Sequence, residues 1–248
     1  MNNLKKIIKQ MTIPFFVVAV MWVVHLINLS YPQLELYKFG ILPRTREGFL
    51  GVITSPWIHS TDSWSHIINN SIPTFVLLWL CITVYKKTAW LIATFIWLAS
   101  GVWVWVAARS NFHIGMSGVI YGLAFFLFFS GIFRQNRQMM GISLLVAFLY
   151  GSLVWGLFPY DKGISFEGHI FGALAGIIMS IYLRNKGPEK DKYNLNVNPE
   201  FEKFVEDYNQ ALFEQEYWES KQSNSNHTQE DAFDVFFEYI KKDNENDS

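Results

Sequence analysis

Residues 115–137 read Gly-Met-Ser-Gly-Val-Ile-Tyr-Gly-Leu-Ala-Phe-Phe-Leu-Phe-Phe-Ser-Gly-Ile-Phe-Arg-Gln-Asn-Arg. From Ser117 to Phe133 no residue is charged, and Arg134 and Arg137 close the run. Those seventeen residues make about 25 Å of helix, whereas a bilayer core about 30 Å thick asks for roughly 20 apolar residues. With the arginines held at one surface, the Ser117 end therefore lies below the other. The preceding stretch, Ser110 to Met116, must dip in with it. Irregular backbone at that depth is tolerated only inside protein or beside a water-filled cavity, so the run predicts a wetted pocket at Ser117.

Working outward, further apolar runs cover about 11–29, 66–85, 89–108, 141–158 and 168–183, which with 117–133 makes six spans. The first follows Lys5, Lys6 and Lys9, lacks a small-x-small cleavage site and is read as a retained helix. The positive-inside rule places both termini in the cytoplasm. Lys5, Lys6, Lys9, Lys86, Lys87, Arg134, Arg137, Arg184 and Lys186 then lie at inside ends, against Lys38, Arg44, Arg46, Arg109 and Lys162 outside. The outside loop at about 31–65 carries Tyr37, Phe39, Ile41, Leu42, Phe49, Leu50, Ile53 and Trp57, a mixture suited to the membrane interface.

Charge divides the chain at the same place as hydropathy. Residues 1–186 hold 14 Lys/Arg and five acids, and the totals of 20 and 21 leave six bases and sixteen acids for 187–248. The near-neutral whole is thus an average of about +9 and −10. This predicts a membrane domain over 1–186 and a small acidic cytoplasmic tail over 187–248, with the bilayer and not nucleic acid as the partner surface. The single cysteine, Cys81, cannot form an internal disulfide. Within the tail, 187–197 reads as a polar linker. A helix starts at Asn198-Pro199-Glu200 and carries Phe201, Phe204, Val205, Tyr208 and Leu212 at helical spacing. A second, short helix starts at Thr228. No partner for the tail can be named.

Polar residues inside a membrane are costly, which makes them functional candidates. Three groups stand at the outside ends of spans: His66, Asn69 and Asn70; Gly115-Met116-Ser117-Gly118; and Gly168-His169. Serine attack on a peptide carbonyl needs a base for the hydroxyl proton and donors for the oxyanion. His169 heads a span at the depth of Ser117 and is the candidate base. Gly118 with Gly122, and Gly172 with Gly176, form small-xxx-small pairs that would let the two helices approach. Ser117 sits at a helix N-terminus, where free N–H groups favour negative charge. His66 and Asn70, four residues apart, share one helix face and can both donate into the pocket. His25, His59, His113 and His227 are read as structural, and Arg109 as an interface marker. A zinc protease is excluded because no histidine is followed by Glu. Both Asp62 and Asp161 fall in loops, which argues against an aspartyl protease. No metal or cofactor is expected.

These residues resemble the rhomboid family of intramembrane serine proteases over about 45–185. The resemblance rests on Gly115-Met116-Ser117-Gly118, His66-Ile67-Ile68-Asn69-Asn70 and Gly168-His169-Ile170-Phe171-Gly172, with Gly176 following. It implies an all-α, six-span bundle with a Ser117–His169 dyad and no acidic third member. It also implies an oxyanion hole of His66, Asn70 and the Ser117 N–H, with Tyr121 stacked on the catalytic histidine. The implied substrates are transmembrane helices cut near the membrane surface. The Trp-Arg pair some relatives carry in the first outside loop is absent; Pro43-Arg44-Thr45-Arg46 stands there. A substrate helix must unwind to reach Ser117, so a lateral gate is expected between the second and fifth spans, with 159–167 as a cap. The rival reading is a rhomboid-like protein that binds transmembrane helices for quality control without cutting them. A transporter would show repeat symmetry and charges in spans, and neither is present. The bacterial inner membrane is the expected location.

Overall fold

The computed structural model describes residues 2–134, 136–159, 165–185 and 199–223. It contains nine α-helices among those residues: α1 (Asn2–Ser30), α2 (Arg46–Phe49), α3 (Gly51–Thr54), α4 (Trp64–Tyr85), α5 (Thr88–Ala107), α6 (Ser117–Arg134), α7 (Arg137–Tyr150), α8 (Phe166–Tyr182) and α9 (Pro199–Ser223). Among the described residues there is no strand, only an isolated antiparallel bridge between Ile41 and His113. Among the described residues five helical segments are long and apolar enough to cross a membrane: Lys5–Ser30, Trp64–Tyr85, Thr88–Ala107, Ser117–Arg134 and Arg137–Leu157. The last is α7 continued by the 3-10 turns Gly151–Leu157. The sixth apolar helix, α8, has 17 residues, about 25 Å of rise.

By contacts the chain divides into two units, Met1–Asp191 and Lys192–Ser248. In the second, α9 begins at Pro199, whose missing N–H costs nothing in a first turn. Phe204, Tyr208 and Leu212 are exposed along it. The linker at 187–197 and the helix expected from Thr228 lie outside the described residues.

In the first unit α6 is the central element. Of its apolar window 56 % is buried, against 11 % for the α7 segment. Its inner face (Leu123, Phe126, Leu127) meets Ile92 and Ile96 of α5 and Met179 of α8 in one hydrophobic cluster. The approach of α6 to α8 is set by glycine. A Cβ at Gly172 would lie 2.0 Å from the Gly118 carbonyl oxygen, and one at Gly176 would lie 2.1 Å from that of Gly122. No side chain fits there, so the two backbones touch. At the far end the buried Arg134 guanidinium donates to the Leu183 carbonyl and stands 5.4 Å from the Tyr85 ring, tying α6 to the close of α8 and to α4.

The segment between α1 and α4 is a series of short helical turns sewn to the end of α5. Ile41 and His113 exchange backbone hydrogen bonds of 2.9 and 2.8 Å. Trp105 Nε1 donates to the Thr45 carbonyl (2.8 Å), and Trp97 Nε1 donates to that of Val52 (2.9 Å). Arg44, one of the residues standing where a Trp-Arg pair is missing, donates to the Ala108 carbonyl at 2.7 Å. Ile41 is buried, whereas Tyr37, Phe39, Phe49, Leu50 and Ile53 are exposed.

Two sequence expectations need correction. The first helix runs from Asn2, through the lysines, and not from about Met11. The sixth starts at Phe166 and includes Glu167 in its first turn, so the apolar helices are not all free of carboxylate. Arg109 does more than mark an interface, because its Nε lies 3.3 Å from Glu167 Oε1. That pairing is what lets an acid stand there.

Candidate active site

The chain reaches Ser117 through a backbone turn that only glycine makes easily. Gly115 has φ +105°, a region open to residues without Cβ. A Cβ there would also stand 2.9 Å from His66 Nε2. The turn is pinned on both sides. The Gly115 N–H donates to the Ser55 carbonyl at 2.9 Å, and the Met116 N–H points at His59 Nε2 at 3.5 Å. Helix α6 then opens at Ser117, whose own N–H precedes the helical ladder and is available to a ligand.

His169 is held from three directions. Ser165 caps α8 by accepting the Gly168 N–H at 3.2 Å, which aims the first turn. The Tyr121 ring lies parallel to the imidazole, with centroids 4.0 Å apart and planes 4° apart. His169 Nδ1 lies 2.8 Å from the Gly156 carbonyl oxygen, and Nε2 lies 2.9 Å from Ser117 Oγ. A carbonyl can only accept, so Nδ1 carries the proton and Nε2 is left to accept from the serine. Ser117 and His169 come together as the sequence expected. The Gly156 carbonyl does not announce itself in sequence, because any residue has one; the only hint is a glycine three residues before Pro159.

The same reasoning assigns His66. Its Nδ1 accepts the Ser60 N–H at 3.3 Å, which leaves Nε2 as the protonated nitrogen, facing Gly115. Asn70 is placed differently from the simple expectation. Its Nδ2 donates to the His66 carbonyl one turn back at 2.6 Å, and its buried Oδ1 has no partner. One of its two amide hydrogens is thus committed to its own helix and one remains for the pocket. Gly118 packs on the Gly168 carbonyl, at 3.2 Å from an added Cβ.

A cavity of about 880 Å³ unites Ser117, His169, His66, Asn70 and Tyr121, with Asn69, Arg109 and Gly156 also on its wall. Behind Ser117 a second, small cavity of about 40 Å³ is lined by Ser55, Ser100, His113 and Ser165 among others. Its wall is more apolar than polar, but those four side chains are potential partners for a water, and the volume exceeds what one water needs.

Two histidines read as structural turn out to touch this machinery. His113 Nδ1 pairs with Ser165 Oγ at 2.6 Å and its Nε2 with the Arg109 carbonyl at 3.0 Å, so it braces the cap of the helix bearing His169. Burial holds the His113 ring below the usual imidazole range. His59 stands 5.2 Å from the His66 ring, centroid to centroid, and burial, reinforced by His66, pushes it down to about 3. Both are neutral at ordinary pH, which suits rings that position neighbours. In sequence they looked like loop histidines, since loops in a membrane protein give no burial pattern to read.

The profile of the Rhomboid domain matches residues 46–186. Uncharacterized proteins of Mycobacterium bovis and Mycobacterium tuberculosis are each 33 % identical to this chain over 184 residues, covering 70 % of it and 74 % of the relative. An uncharacterized protein of Mycobacterium leprae is 30 % identical over 183 residues, covering 69 % and 70 %.

Proposed function

The chain belongs to the rhomboid family and is an integral membrane protein; from that premise we propose that it is an intramembrane serine endopeptidase cutting transmembrane-helix substrates. The observation that carries the reading is the 2.9 Å contact of Ser117 Oγ with His169 Nε2, whose ring is turned by the Gly156 carbonyl so that Nε2 is the basic nitrogen.

In this reading Ser117 attacks a peptide carbonyl while His169 Nε2 takes the hydroxyl proton. The tetrahedral oxyanion forms beside the Ser117 N–H, His66 Nε2–H and the free amide hydrogen of Asn70; each such donor is worth about 3 kcal/mol. The imidazolium returns its proton to the leaving amine. Water, for which the small cavity behind Ser117 has room, then repeats the sequence on the acyl-enzyme. Gly118, Gly122, Gly172 and Gly176 let the two helices sit at the distance the dyad needs, and Gly115 turns the chain into α6.

Substrate reaches Ser117 between α4 and α7 in this proposal, and the thin burial of the α7 segment supports that route. Residues 160–164 of the expected cap lie outside the described residues. The arrangement in the membrane proposed here has six crossings and both termini in the cytoplasm. The mycobacterial relatives support a bacterial cell membrane. Cleavage of a model transmembrane substrate by purified, reconstituted protein is the test. Ser117→Ala and His169→Ala should each reduce kcat by at least about 10³-fold. Equal cleavage by all three proteins would sink the dyad, and no cleavage by any would favour a non-proteolytic helix-binding role.

A further inference from the structure

Serine hydrolases commonly orient the base histidine with a carboxylate. Here the atom in that position is the Gly156 carbonyl oxygen, 2.8 Å from His169 Nδ1. We propose that Gly156 is a positioning residue that couples the seating of the α7 segment to the competence of the dyad; this rests on the protease reading above.

Three observations converge. The first is the hydrogen bond, which selects the tautomer with Nε2 free. The second is steric. A Cβ at Gly156 would stand 1.9 Å from Tyr121 Oη and 3.1 Å from His169 Nδ1, so the backbone approaches this closely only where the side chain is a hydrogen. The third is location. Gly156 lies in the 3-10 turns Gly151–Leu157 that end the α7 segment, where Val154 is 44 % and Trp155 64 % exposed. The acceptor thus sits on the least buried of the long apolar helices, while Ser117 and His169 sit on the backbone-locked pair α6 and α8.

The physical logic favours such a device in a membrane. A buried carboxylate would need further hydrogen bonds or a partner charge to offset its desolvation, whereas a peptide carbonyl is neutral and still accepts from either imidazole or imidazolium. Because the carbonyl lies on the 3-10 turns that continue α7, any outward movement of that segment removes it, and His169 loses the bond that selects its tautomer. Chemistry then proceeds only once α7 has settled back over the pocket, after a substrate segment is inside.

The test combines a spectroscopic readout with kinetics on the full-length protein, ¹⁵N-labelled at histidine. In the wild type at pH 8, His169 should show a protonated Nδ1 and an unprotonated Nε2. Gly156→Ala should give a mixture of tautomers, with kcat reduced at least 30-fold and KM within twofold. Removing the nearer obstruction restores the geometry, so Gly156→Ala/Tyr121→Phe should return to within tenfold of Tyr121→Phe alone. The double variant also carries the test if Gly156→Ala does not fold. The proposal is overturned if Gly156→Ala keeps the wild-type tautomer, or if its kcat stays within twofold of wild type. Should the wild type cleave nothing, the protease reading fails separately, and the tautomer comparison still decides whether the carbonyl orients the ring.

Discussion

At His59 desolvation outweighs every other influence on the ring. With its protonation pushed down to about 3 from an ordinary 6.5, the folded protein refuses a proton that the unfolded chain accepts. Between pH 6.5 and 3 the unfolded state therefore binds more protons, and stability falls as pH falls through that window, by at most about 1.4 kcal/mol per pH unit for this one group. His113, lowered by burial too, acts in the same direction. The thermal midpoint in detergent should drop between pH 7 and 4.5, and His59→Gln should flatten the dependence; an unchanged slope in that variant would contradict the assignment. Ser165 offers a second residue-scale test. Ser165→Ala removes an N-cap worth about 0.5–2 kcal/mol and the brace to His113. Cleavage should fall severalfold in kcat with little change in KM. Sequence pointed to Ser117, His169, His66 and Asn70 because each is a polar side chain where lipid would exclude it. It could not point to the Gly156 carbonyl, nor to His59 and His113, whose importance lies in what the fold packs around them.

For the helices, the informative pattern was glycine spacing. Gly118 and Gly122 against Gly172 and Gly176 foretold that α6 and α8 touch, and the backbone carbonyls occupy the room a Cβ would need. Gly172→Ala, with 2.0 Å to the Gly118 oxygen, must push the helices apart. Overpacking of that kind costs about 1–3 kcal/mol, and the shift also lengthens the Ser117–His169 contact. Both the thermal midpoint and kcat should fall, whereas Gly141→Ala, which meets nothing within 4 Å on α7, should leave kcat unchanged and not lower the midpoint. Helix ends were less legible. Hydropathy set the sixth span two residues late, because Glu167 reads as a loop residue until Arg109 is seen beside it. The first helix was trimmed at its lysines for the same reason: charge marks where lipid stops and says nothing of where hydrogen bonding does.

At the scale of the molecule, the parity of crossings decides which side the acidic tail occupies. Five segments clear the length a bilayer asks for, and α8, at 17 residues, is the one in question. Its first turn is level with Ser117 and its end is held by Arg134, so it runs the same depth as α6. The six crossings proposed above predict that Asn3→Cys and Ser248→Cys label from the same face with an impermeant thiol reagent, and Gln33→Cys from the opposite one. Cys81 is buried and leaves the background clean. Labelling of residues 3 and 248 from opposite faces would remove α8 from the count.

The backbone seam between Ile41 and His113 stiffens the Phe112–Ile114 side of the cavity, while Leu153 and Gly156 on another side belong to the thinly held α7 segment. The entry route proposed above passes that thinly held side. On the protease reading, the cut fragments must back out along the path by which the uncut helix came, so a lingering product obstructs the next arrival. Turnover would then be paced by departure, and an added helical fragment would slow the reaction as a competitor.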